Sequence, residues 1–263
     1  MTELGGKNSY VGTEAESKRN SLYLRSPFER GIVTNWDDME KVYHHTFSNE
    51  LRVDPEEYAV LLTESSLNPK SNRGKMAIMV FETFNIPAFY VSKRAALSLY
   101  ASERLSGTVV DIGSDVTHIT PIFEGYCLPH AVTSVDMGDI SLTDTLVRLL
   151  EVRGFSFSTS AEREAVTDMK RRLCYVAFDY EHDYQIAGGC SMLERSYELP
   201  DGNVIAVDTE RFTAPEVLFN PSYGDFRHSG IHFKIAESIM ACDLLIRPTL
   251  YENIILVCTR MIE

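Results

Sequence analysis

The stretch that constrains this chain most is Gly107–Gly125, Gly-Thr-Val-Val-Asp-Ile-Gly-Ser-Asp-Val-Thr-His-Ile-Thr-Pro-Ile-Phe-Glu-Gly. Two β-branched apolar runs, Thr108–Val110 and Val116–Ile122, flank a short Asp-x-Gly-Ser-Asp turn. Strand formers bounded by residues that tolerate tight turns predict a β-hairpin. The turn carries the chemistry. Asp111 stands at the mouth of the first strand, where a carboxylate can hold a hydrated divalent cation through its waters. Gly113 lets the backbone approach a ligand closely, so successive amides of the turn form a candidate nest for phosphate oxygens. The same residues also fit a solvent-facing hairpin with an ordinary polar turn, because Asp and Gly are common turn residues. Residue types alone leave both readings open.

Around this hairpin the chain alternates strand and helix signals. Residues 1–26 are polar and weakly periodic, with short strands expected around Tyr10-Val11 and Leu22–Leu24. Asn35 reads as a helix N-cap, followed by Asp37, Asp38 and Glu40 where acidic groups suit the helix dipole. Trp36, Met39, Tyr43 and Phe47 give that helix one apolar face. The adjacent His44 and His45 point roughly 100° apart on a helix and make a poor metal pair.

Tyr58–Thr63 reads as a buried strand, Asn68-Pro69 opens a helix running through Met76, Met79 and Phe84, and Ala88–Val91 is another strand. A third helix, Lys93 to Glu103, is expected to turn Ala96, Leu97 and Tyr100 inward. Strands and helices in alternation, followed by a hairpin, predict an α/β fold with a mixed sheet.

Beyond the hairpin, Leu142–Val152 is an amphipathic helix stopped by Gly154. Thr159-x-x-Glu162 is a capping box opening a helix whose stripe is Ala165, Met169, Leu173 and Ala177. Lys170, Arg171 and Arg172 flank that stripe, and such a run usually marks a solvated face. A hairpin is expected over Arg195–Val207 around Pro200-Asp201-Gly202, then helices near Ala214–Leu218 and Phe233–Cys242, and a strand at Asn253–Cys258.

Composition narrows the function classes. A net charge of −13 disfavours nucleic acid and anionic membrane as general partners and suits basic proteins. Five scattered cysteines without a CxxC pair read as reduced thiols, not a disulfide framework or zinc site. The opening residues lack the apolar core of a signal peptide and no run reaches membrane-spanning length, so a cytoplasmic location is expected.

Long strings across the chain resemble one family. Tyr10-Val-Gly-Thr-Glu-Ala-Glu-Ser-Lys-Arg, Gly31-Ile-Val-Thr-Asn-Trp-Asp-Asp-Met-Glu-Lys and Leu97-Ser-Leu-Tyr-Ala-Ser are similar to actin. So are Glu162-Arg-Glu, Leu173-Cys-Tyr-Val-Ala and Ser196-Tyr-Glu-Leu-Pro-Asp-Gly, and the likeness runs from about Lys7 to about Leu256. The resemblance implies the two-lobed ATPase fold shared with Hsp70 and hexokinase, incomplete at both ends. Residues 1–26 resemble part of a small outer lobe and 27–101 part of the inner lobe beneath it. Residues 102–137 with 227–263 resemble the second inner lobe, and 138–226 its outer lobe.

The resemblance also implies ATP or ADP with Mg2+ or Ca2+ in the cleft, and cytoskeletal filaments of this chain or of actin. Actin-binding proteins such as myosin or profilin follow as expected partners. On that likeness Asp111 resembles a cation-site residue acting through water, and Gly113, Ser114 and Val116 belong to a phosphate loop. His118 resembles the histidine beside the attacking water, while Glu164 and Lys170 fall where base and ribose are lined.

The chain departs from the family where hydrolysis depends on it. Arg94 stands in place of a water-placing glutamine, and arginine cannot act as a base. Asp115 replaces a glycine of the phosphate turn; like charges 4 Å apart at an effective dielectric of about 20 repel by about 4 kcal/mol. A hydrogen bond from Ser114 would offset part of this. Arg171, Thr167 and Arg30 also differ from the family's residues. By the resemblance, the family's first phosphate loop with its lysine would fall before Met1 and its closing strands and helices after Glu263, and both are expected to be missing. The expectation is an actin-family ATP-binding protein with impaired hydrolysis, at most a weak ATPase. The alternatives are a non-hydrolysing actin-like interaction protein or fragment, and a different enzyme on the same fold.

Overall fold

The computed structural model describes residues 10–18, 21 and 23–258. By its internal contacts the chain divides into two units, residues 1–97 and 98–263.

The first unit opens with α1 (Thr13–Ser17), not with strands. Tyr10, Val11 and Leu24 pair with nothing as strands, and Leu22 lies outside the described residues. Glu14 and Ala15 are good helix formers and take up one turn instead. A two-rung ladder of β1 (Phe28–Glu29) and β2 (Ile32–Val33) closes on Arg30 and Gly31, both at positive φ (52° and 72°), as a tight hairpin turn requires.

Next comes α2 (Trp36–His45), capped by the Asn35 side chain accepting the Asp38 N–H at 3.1 Å. Its Met39 joins Val33, Phe47, Met79, Val80, Phe84 and Ile86 in the first core, with Trp36 and Tyr43 packed against it. A π-helical turn over Thr46–Leu51 follows, where His45 Nε2 meets Glu50 at 3.0 Å.

A strand–helix–strand unit completes this half: β3 (Val60–Glu64), α3 (Lys70–Ile78) and β4 (Phe89–Lys93), with β3 and β4 parallel. The buried strand expected over Tyr58–Thr63 is only half covered. Val60 and Leu62 pack on the core, whereas Leu61 points to the opposite, uncovered face of the strand pair and Tyr58, ahead of β3, is also exposed. The helix also stops short of Phe84, giving way to a π-helical turn at Met79–Thr83. The division between the units falls within α4 (Arg94–Ala101). Its buried residues are Ala95, Ala96 and Leu99; the expected inward Tyr100 is exposed, its hydroxyl set close against Gly125. Ala95 and Leu99, four apart, define the inward stripe instead.

In chain order the second unit contains β5 (Gly107–Ile112), β6 (Thr117–Phe123), β7 (Tyr126–Cys127), β8 (Thr133–Val135), α5 (Asp139–Val152), α6 (Ser160–Leu173) and α7 (Tyr180–Gly189). It continues with β9 (Arg195–Glu198), β10 (Val204–Val207), α8 (Glu210–Glu216), α9 (Ile231–Met240), α10 (Arg247–Glu252) and β11 (Ile254–Cys258). Five strands make a mixed sheet in the order β11-β5-β6-β7, with β8 also on β6; β11 runs parallel to β5 and the other pairs are antiparallel. Every residue of β5 is buried, so the hairpin is a core element and not a solvent-facing one.

Two of this unit's cores meet on α5. Val110, Ile112, Ile119, Val135 and Met137 pack with Leu142, Val217, Leu218 and Ile231. Leu146 and Leu150 of α5 pack with Val166 and Met169 of α6 and Ile205 and Val207 of β10.

Three expectations are corrected here. First, α5 begins at Asp139, ahead of Leu142, because the hairpin turn accepts its first amides. Second, α6 ends at Leu173, so Ala177 lies beyond the stripe although it is buried. Third, the charge run is only in part a solvated face: Arg172 is exposed and Arg171 half-buried, but Lys170 is 1% exposed. The capping box of α6 holds, with the Thr159 N–H donating to Glu162 Oε2 at 2.8 Å and the Glu162 N–H donating to Thr159 Oγ1 at 3.2 Å. No helix among the described residues is long and apolar enough to cross a membrane.

Candidate nucleotide and cation site

The hairpin places Asp111 and His118 directly opposite each other across β5 and β6. Both are buried, at 4% and 5% exposure. Asp111 Oδ1 and His118 Nδ1 make no hydrogen bond within the chain, although each residue has other interactions. A buried carboxylate beside a buried imidazole at a strand end is a donor set that suits a hydrated hard cation and a polarised water.

The turn between them is tighter than an open nest. The Gly113 N–H donates to Val116 O at 3.0 Å and is already spent. A Cβ on Gly113 would approach Val116 O to 2.9 Å, so glycine is needed here for space. Ser114 and Asp115 are exposed at the tip, and Val116 is buried.

Beneath the tip sits the start of α5. The Asp139 and Ile140 N–H groups donate to Gly113 O (3.0 Å) and Ser114 O (2.9 Å), so the turn caps the helix. The Gly138 N–H is accepted by Ser141 Oγ at 3.3 Å, and Thr117 Oγ1 donates to Met137 O at 2.7 Å. Asp139 in turn holds Lys170. The ammonium donates to Asp139 O at 3.0 Å, to Thr143 Oγ1 at 2.9 Å and to the Asp139 carboxylate. An ammonium has three donors, and all three are engaged.

Glu164 is exposed on α6. Six residues at about 100° each put it and Lys170 on different faces of the helix. Arg94 opens α4, in the first unit. Cys258, beside Ile112 at the end of β11, is exposed, yet partial desolvation first and then the Asp111 and Asp139 carboxylates raise its thiol above the usual range.

A family model described as Actin matches residues 2–260 of the 263. The chain belongs to the actin family. Its alternating parallel unit and mixed sheet are an α/β fold of actin type.

Within this actin-family chain the hairpin brings Asp111, Gly113, Ser114, Val116 and His118 together. Lys170 joins them through Asp139, and Glu164 is exposed on another face of α6. Sequence reasoning missed Asp139 and Thr143. The signal was present: the two stand four apart on one helix face, and Lys170 stands four after the buried Val166.

Proposed function

We infer that this actin-family protein binds ATP or ADP with a divalent cation at the Asp111–His118 hairpin, assembles with itself or with actin, and hydrolyses nucleotide poorly. The observation that carries the reading is the buried cross-strand pair of Asp111 and His118, set beside a glycine turn in a chain of this family. Asp111 would hold the cation through its waters, and the imidazole opposite would orient a water and take its proton. A bound cation supplies charge neutralisation to the phosphates. The Ser114 hydroxyl would donate to a phosphate oxygen, and Val116 would close the turn beneath it.

The remaining residues argue against efficient chemistry. Asp115 brings a like charge to the phosphate edge, and Arg94 cannot act as a base. A cytoskeletal location and partners such as myosin or profilin follow from the family; the charge of −13 favours basic protein surfaces over nucleic acid or anionic membrane.

Calorimetric titration of the full chain with Mg2+ and ATP checks this reading. Saturable binding, lost in Asp111→Ala, with slow phosphate release is the expected result. Absence of saturable binding by the unmutated chain overturns it. In that case, co-sedimentation with actin filaments would favour the non-hydrolysing interaction protein, for which the spent Gly113 amide and Lys170 ammonium already speak.

A further inference from the structure

Lys170 is among the largest fully buried side chains of the chain, and a buried ammonium is costly unless every donor is matched. Here every donor is matched, and by one short stretch of α5: the carboxylate and carbonyl of Asp139 and the hydroxyl of Thr143. The Thr143 hydroxyl itself donates to Asp139 O at 3.2 Å, which closes the network. The backbone of Asp139 then carries the connection onward. Its N–H donates to Gly113 O and the next N–H to Ser114 O, the two carbonyls of the hairpin tip. Gly138 lies so close to that tip that a Cβ would sit 2.5 Å from both carbonyl oxygens.

We propose that Lys170 is a positioning residue: a latch from α6, through Asp139, that sets the hairpin turn Gly113–Val116, and not a group that touches a ligand's base or ribose. This rests on the nucleotide reading above only in what the turn is held ready for; the latch itself is a property of the apoprotein. It assigns Asp139 and Thr143 a part in the site. It also makes the buried pair Asp139–Lys170 the point at which α6 communicates with the turn. A group with no donor to spare cannot add a contact to a ribose hydroxyl without giving one up.

Native-state hydrogen exchange on the full chain tests the latch directly. In Lys170→Met the amides of Gly113, Asp139 and Ile140 should exchange about tenfold faster or more, while those of the β9–β10 hairpin stay unchanged. A variant that merely loosens the packing of α5 on α6 would instead speed exchange along α6 and leave the turn no faster than its surroundings. That outcome overturns the proposal. Asp139→Asn, milder and isosteric, should show the same pattern and carries the measurement if Lys170→Met does not fold. The double variant should be no worse than the worse single one, because the two act as one unit.

Titration with Mg2+ and tripolyphosphate, which has neither base nor ribose, separates the latch from a direct contact. Equal weakening of tripolyphosphate and ATP in Lys170→Met is expected. Weakening of ATP alone makes Lys170 a base or ribose contact and sinks the latch. If the unmutated chain binds neither probe, the nucleotide reading falls and the exchange data still decide the latch.

Discussion

At the scale of single residues, two buried charge networks show how much the surroundings of a side chain matter. Lys170 is enclosed by acceptors from one helix turn, whereas Glu64 is enclosed by donors: Arg73, Lys93 at 2.9 Å and Asn68 at 2.8 Å. Burial works to raise the Glu64 carboxyl, but the hydrogen bonds from Arg73, Asn68 and Lys93 outweigh it and hold it at about 2. A depressed carboxyl stabilises the fold above its unfolded value of 4.5, and that contribution is lost as pH falls from there toward about 2. The loss amounts to up to about 3 kcal/mol. Urea unfolding at stepped pH should therefore show a steep fall in stability over this window, much reduced in Glu64→Gln. An equally steep fall in that variant would assign the acid sensitivity to other carboxylates.

At the scale of elements, the decisive contact is between the hairpin tip and the start of α5. Gly138 has an extended backbone, so the demand for glycine comes from space alone: the oxygens of Gly113 and Ser114 already occupy the position of a Cβ. Backbone atoms held by two hydrogen bonds do not move aside cheaply. Gly138→Ala should cost about 1–3 kcal/mol as an overpacking change, read as a lower urea midpoint with the slope retained. An unchanged midpoint would mean the turn and helix are not in close register. The sheet edges tell a different story. Leu61 and Tyr90 on β3 and β4, and Leu256 on β11, are exposed large side chains on strands with an open side among the described residues. Open apolar edges favour association with other chains.

At the scale of the whole molecule, the two units are built to different standards. The second centres on a five-stranded sheet with β5 buried along its whole length. Among its described residues the first has a two-stranded parallel pair and a two-rung ladder, and small sheets of that kind are marginal without further cover. Hydrogen exchange should reflect this, with β5 and β6 amides protected about tenfold or more beyond those of β3 and β4. Equal protection would show that the chain unfolds as one cooperative body.

Much of the local structure was legible in the residues because its causes lie within a few positions. The Asn35 cap, the Thr159–Glu162 box and the turn at Gly202 (φ 85°) depend on side chains three residues away or on glycine's own freedom. The hairpin around Asp111 and His118 was legible for the same reason, since a tight turn dictates its own register. The family followed from strings spread along nearly the whole chain.

What the residues did not disclose depends on partners distant in sequence. Lys170 reads as part of a solvated charge run until Asp139, 31 positions away, is folded against it. The start of α5 at Asp139 was hidden because its first amides are capped by a turn far earlier in the chain. Tyr58 and Leu61 look like core by composition and are exposed, Leu61 because it shares with Tyr90 the face of the strand pair turned away from the core. Local sequence thus determined the elements and the family. Tertiary packing alone decided which charges are buried, since the cost of burying a charge depends on what the rest of the chain brings to meet it.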